Sequence, residues 1–316
     1  MRSRIRQSLR RHPARRILTI VAALSSLLAA LTVYSQRLDR GDEGRGRRSE
    51  GERGFRSEGE RGYRGRGGFR SYGDEAPWAI PRRDIFPGNV FTFCRVRYDS
   101  SGYRRGGGWQ TDYDASDINF STRLGELTTI RVNRDKQGRV KHAVIRLTDD
   151  DLFHYPFIYI VEPGALEFSD KEVERLRSYL LRGGFLMVDD FWGEAEWKNF
   201  EYEFSRVLPP QEYPMVQLPL SHEIFHCVFE IKEYPQIPSV HAWLGTGLTY
   251  ERYDATVPHY RGVWDKKGRL MVVVCHNTDL GDGWERENWD ETYFREFSAK
   301  KAYPLGINIV VYAMTH

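Results

Sequence analysis

Cysteine is scarce: the chain has 3 in 316 residues, Cys94, Cys227 and Cys275, with no C-x-x-C pair and no regular ligand spacing. That excludes a disulfide-rich scaffold and a thiolate zinc site. One bridge stays open in an oxidising compartment, with Cys94–Cys275 the favoured pair because both fall in predicted strands. Three small buried hydrophobes is the competing reading. A one-signed charge excess is also missing, since 47 basic residues face 44 acidic ones for a net charge of +3. Nothing at whole-chain level therefore argues for nucleic acid.

Aliphatic residues are almost absent from residues 37–76, "RLDRGDEGRGRRSEGERGFRSEGERGYRGRGGFRSYGDEA". Such a segment has no core to offset its ordering entropy, so it reads as a disordered Arg/Gly/Glu-rich linker. Adhesion to anionic headgroups or an envelope polymer is its alternative use. Acidic residues are absent from residues 1–16, which are basic and precede the uncharged, apolar residues 17–33. This is the layout of a secretory signal or of a minimal membrane anchor, with cleavage after "VYS" and retention both open. Either way residues 1–36 send the remainder across the inner membrane, to a periplasmic or cell-envelope location.

Residues 77–316 carry what a folded domain needs. "FIYIV" is a wholly apolar strand of the kind buried on both faces in a parallel sheet. "SDKEVERLRSYLLRGG" follows, with a capping box at Ser169 and Glu172, an apolar stripe of Val173, Leu176 and Leu180, and a terminal glycine at Gly183. "FLMV" re-enters the sheet, and a helix is predicted from 194 to 208. "VFTFCRVRY", "TIRVN" and "VKHAVIRL" read as further strands, residues 116–128 as a helix, residues 260–277 as a late β-hairpin, and "LGINIVVYAMTH" as a C-terminal helix. The order predicts an α/β fold with an open, mostly parallel sheet flanked by helices.

Several constellations could carry chemistry. Asp189 and Asp190 stand where "FLMV" ends; side chains of neighbouring strand residues diverge, so one should hold the turn and the other face a cleft. Asp190 is the expected helix anchor and Asp189 the expected cleft residue, near His222. "SHEIFH" places His222, Glu223 and His226 in a literal H-E-x-x-H match, whose zinc reading would need a third ligand such as Glu251. Pro219 and Ser221 start a helix at the motif, and the extended motif's glycine is Phe229, both of which count against a metalloprotease. "HNTDLGDGWE" offers Asn277, Asp279 and Asp282, with spacing for a loose calcium site or an Asx-held turn. In "RRGGGWQTDYDASDINF" there is neither a G-x-G-x-x-G spacing nor a Walker lysine, while Trp109, Asp112 and Tyr113, with Trp192 elsewhere, suit a neutral polar ligand.

"GGGWQTDYDASDINF", "HYPFIYIVEPG", "YLLRGGFLMVDDFWG", "SHEIFHCVFEI", "HNTDLGDGWE" and "YPLGINIVVYAMTH" together resemble the bacterial domain of unknown function 4159 family. The resemblance implies a class I glutamine-amidotransferase-like fold, flavodoxin-like in layout, and no established activity. The strand tip that carries a nucleophilic cysteine in amidotransferases carries Asp189 and Asp190 here, so thiolate amide transfer is not expected. The expectation is an exported, membrane-tethered binding or assembly module with an envelope protein or polymer as partner and no cofactor. The alternative is a hydrolase or metal-dependent enzyme, using zinc or calcium, with a cleft around Asp189, His222 and Asp279; a zinc protease through His222 and His226 is the weaker alternative.

Overall fold

Side-chain alternation splits the core into two layers. In the strand Phe157–Val161, Phe157, Tyr159 and Val161 pack into one buried cluster while Ile158 and Ile160 pack into the other. Phe185, Met187 and Leu186, Val188 divide the same way. A strand with apolar residues on both faces can be stable only between two covering layers. The computed structural model describes residues 90–100 and 108–316. The predicted signal or anchor at 1–36 and the predicted linker at 37–76 lie outside the described residues. Among the described residues no helix is long and apolar enough to cross a membrane.

The strands are β1 Phe93–Val96, β2 Asp99–Ser100, β3 His142–Ile145, β4 Phe157–Val161, β5 Leu166–Glu167, β6 Phe185–Asp189, β7 Val216–Gln217, β8 His259–Trp264 and β9 Leu270–His276. The helices are α1 Ala115–Leu127, α2 Asp170–Leu181, α3 Gly193–Val207, α4 Val240–Thr246, α5 Leu280–Glu285, α6 Glu291–Tyr293 and α7 Tyr303–Thr315. The main sheet has seven strands in the order β3-β1-β4-β6-β9-β8-β7. β3, β1, β4, β6 and β9 run parallel, and β8 and β7 add antiparallel to the edge. Taken in chain order, those five parallel strands lie 2-1-3-4-5, the flavodoxin-like arrangement, whose ligand crevice opens at the carboxyl ends where the strand order reverses.

α2 and α3 cover one face through Val173, Leu176, Phe200, Phe204 and Val207. α1, α5 and α7 cover the other through Phe120, Leu124, Leu280, Trp284 and Ile307. The Ser169–Glu172 capping box forms at the start of α2, a device worth about 1 kcal/mol. The hairpin of β8 and β9 and the C-terminal helix stand as the sequence suggests, although a π-helical stretch, Phe294–Ala302, leads into α7.

Three expectations change. "TIRVN" makes no strand: Val132 forms a single parallel bridge with Phe91. β1 is shorter than residues 90–98, because the Tyr98 hydroxyl donates to the carbonyls of Val161 and Glu162 at 2.7 and 2.6 Å and draws the chain out of the sheet. Cys94 and Cys275 are both free and buried. They sit on β1 and β9, with β4 and β6 between them, roughly 14 Å apart at ordinary strand spacing. A disulfide spans less than half that distance.

Candidate cation-binding cleft

The backbone turns in the same unusual way at four places on the carboxyl side of the parallel strands. Glu162 follows β4, Asp190 follows β6, Asn277 follows β9 and Asp112 lies on the connection after β1. These four are the positive-φ non-glycine residues among the described residues, at φ 47, 56, 62 and 60°. A left-handed residue costs about 1 kcal/mol or more and redirects its side chain sharply. Here the turns bring the side chains of Asp112, Glu162 and Asp190, from the connections after three separate strands, into one region.

A cavity of about 740 Å³ lies there, and its lining includes Asp112, Glu162, Asp190, Glu196, Glu251, Asp279 and Asp282 against Arg252 and Arg286. Asp112, Asp190 and Asp279 each offer one carboxylate oxygen, all within 4.8 Å of one another. Two carboxylates at that separation repel by roughly 3 kcal/mol at an effective dielectric near 20. Burial first, and the neighbouring acids second, push all three carboxyls well above the usual range. Asp112 is half-buried as a residue, yet its Oδ2 is sealed from solvent and has no hydrogen-bond partner.

Among the described residues no nearby guanidinium is free to compensate the three. Arg95 is buried and committed to Asp117 at 2.5 Å, to Ser116 and to the carbonyls of Trp109 and Thr111. Arg252 pairs with Glu196. Arg286 contacts Glu285 through Nε at 2.6 Å. Glu162 accepts from the Gly108 N–H at 2.6 Å, yet burial still pushes its carboxyl up to about 7.

The aspartate pair divides its work, in the reverse of the expected assignment. Asp189 shares the face of Phe185 and Met187, and its Oδ2 accepts from the Tyr159 hydroxyl and from the N–H groups of Leu280 and Gly281 at 3.0, 2.9 and 3.1 Å. It is fully buried, and burial raises its carboxyl to about 7. Asp190 does not cap α3: the cap position is Trp192, whose N–H donates to Glu196. Asp190 instead accepts from the Trp192 indole N–H at 3.0 Å and lines the cavity. The left-handed turn at Asp190 is the cause, because it swings the side chain away from the helix start.

Other predicted residues scatter. His222 packs against Trp264 and Tyr312, and Trp264 pairs with Leu270, the first residue of β9. It therefore lies towards the amino edge of the parallel strands and does not join Asp189 and Asp279. The H-E-x-x-H match falls on a 3₁₀ turn, where the His222 ring accepts from Ile224 N–H. His226 turns to the Leu220 carbonyl and Glu230, while Glu251 lines the cleft, so those three zinc candidates are not brought together. Asp279 both caps α5, accepting from Asp282 N–H at 2.7 Å, and belongs to the carboxylate group. Trp192 lines the cavity; Trp109 and Tyr113 pack on each other beside it, the latter bonded to His142. Asn277 braces the turn, accepting from Gly193 N–H and donating to the Val257 carbonyl.

The family described as Domain of unknown function (DUF4159) matches residues 92–314. The chain belongs to that family. No curated protein matches it. The matched span of this DUF4159 chain contains every cavity residue named above. Sequence reasoning missed Glu162, Glu196, Arg252 and Arg286. For Glu162 a signal existed: "FIYIVEPG" puts a carboxylate directly after a wholly apolar strand, as "FLMVDD" does.

Gly281 is a close-approach position, where an added Cβ would press on Asp112 Oδ2 and, at 3.0 Å, on the Tyr159 hydroxyl. Gly281→Ala should displace Asp112 and weaken the cation binding proposed below at least tenfold, with fold retained by circular dichroism. Unchanged binding by calorimetry would show that Asp112 is not held there.

Proposed function

We propose that this domain is a divalent-cation-dependent hydrolytic centre. The observation that carries it is the group Asp112, Asp190 and Asp279, three buried carboxylates on the connections that follow separate strands, without a free compensating guanidinium among the described residues and with the Asp112 Oδ2 unpartnered. Oxygen donors of this kind suit a hard cation such as Ca²⁺, Mg²⁺ or Mn²⁺ better than zinc. A bound cation supplies Lewis acidity to an oxygen ligand or to water. Glu162, in the same cavity with its carboxyl raised to about 7, is suited to hold or release a proton near neutral pH.

The amidotransferase likeness contributes the layout and not the chemistry, because no cysteine lines the cavity among the described residues. The basic and apolar residues 1–33 support placement of the centre on the far side of the membrane, tethered there or released, with an envelope polymer or protein as its polar substrate. A cation-dependent binding module without turnover is the second reading, favoured by the lack, among the described residues, of a serine–histidine or cysteine–histidine pair in the cavity lining.

Isothermal calorimetry of the chelator-stripped chain with Mn²⁺ and Ca²⁺ tests the cation. Micromolar binding that Asp190→Asn abolishes is the expected result. Absence of binding at millimolar cation would remove both readings.

A further inference from the structure

A second group of carboxylates adjoins the first. Asp112, Asp282 and Glu285 also bring one oxygen each to within 4.8 Å of one another, so Asp112 belongs to both groups. A carboxylate has two oxygens and can serve two centres at once. Asp282 is buried, and its Oδ2 is fixed by Val240 N–H at 2.6 Å and the Tyr293 hydroxyl at 3.2 Å. Its Oδ1 has no hydrogen bond among the described residues and faces Arg286 Nε only at 3.6 Å. The Glu285 side chain hydrogen-bonds to Asp112, and its Oε2 is sealed from solvent without a hydrogen bond, in ionic contact at 2.6 Å with Arg286 Nε of the adjacent residue.

Charge leads the same way. Among the described residues seven carboxyl groups against two guanidiniums line the cavity, so with all seven ionised one divalent cation would leave three excess negative charges in a confined space. Arg286 also has another seat, since its guanidinium lies 4.4 Å from the centre of the Trp289 ring, a contact that is favourable by itself. It can release Glu285 without becoming an isolated charge.

We propose that the cleft holds two divalent cations bridged by Asp112, the first on Asp190 and Asp279 and the second on Asp282 and Glu285. The inference rests on the cation reading above and adds the second ion to it. A carboxylate bridge sets two ions at the separation, roughly 4 Å, that lets both contact one reacting group, an arrangement suited to in-line displacement at an ester.

Titration of the stripped full-length chain with Mn²⁺, followed by calorimetry and electron paramagnetic resonance, separates the two levels. Two ions per chain with an exchange-coupled spectrum are expected. Glu285→Gln should leave one ion and an uncoupled spectrum, and Asp112→Asn should weaken both sites. One ion per chain in the unmodified protein overturns the pair and leaves the single-cation reading standing. No ion overturns both. Two ions without coupling, insensitive to Glu285→Gln, place the second ion elsewhere and overturn the assignment. The coupled spectrum needs no variant, so misfolding of Glu285→Gln would not remove the test.

Discussion

Without divalent cations the domain should lose stability as pH rises from about 4 to 7, and millimolar Ca²⁺ or Mn²⁺ should restore it. Most proteins are at their most stable near neutrality because their carboxylates are held below ordinary values. Here the buried carboxyls are shifted the other way. Asp189 and Glu162 are pushed up to about 7, and Asp112, Asp190 and Asp279 are raised as well. A carboxyl with a folded pKa above its unfolded one binds more protons in the folded state. Its contribution is complete below about pH 4 and is lost as pH rises through the folded value. For the fully buried Asp189 a rise of about three units is worth on the order of 4 kcal/mol.

Cations oppose that loss by binding the folded state alone. At one hundred times the dissociation constant a single site contributes about 2.7 kcal/mol, or roughly 5–10 °C in melting temperature for a domain of this size. Thermal unfolding from pH 4 to 8, with EDTA and with cation, checks both parts. If the chelated protein is more stable at pH 7 than at pH 5, the carboxylate cluster is not the strained element described here.

The parallel sheet was legible in the sequence because its signals are local. An apolar run such as "FIYIV" and a capping box at Ser169 depend on neighbours within a few residues, and packing reinforced them. "TIRVN" failed because three β-branched residues do not make a strand when an edge neighbour pairs at a single position. The cleft was half legible. Asp190, Asp279 and Asp112 were singled out, since acids after strands or beside glycines are visible in one dimension. Their convergence was not, because it depends on the 2-1-3-4-5 strand order and on left-handed turns at residues whose side chains do not announce them. His222 misled for the converse reason: a motif read as helical lies on a 3₁₀ turn at the other end of the sheet.

Asp189→Ala and Asp190→Ala should differ sharply, with the larger damage at Asp189. Asp189 Oδ2 takes three donors, two of them first-turn N–H groups of α5 that have no helical acceptor. Removing the acceptor leaves those donors buried where water cannot replace it, at about 1–3 kcal/mol for each donor stranded. Partial relaxation of α5 brings the expected total to roughly 3–5 kcal/mol, a loss of about 10 °C or more. Because Asp279 caps the same helix, the damage should reach the cation site indirectly. Asp190→Ala removes one acceptor, from the Trp192 indole, and also removes a charge repelled by Asp112 and Asp279. In EDTA its melting temperature should therefore stay level or rise, while the stabilisation by cation disappears. Asp189→Asn, which keeps one acceptor oxygen, should fall between the two and retain cation binding. Equal destabilisation by the two alanine variants, with cation response preserved in both, would show that the strand tip is an ordinary turn and that Asp190 does not face a bound ion.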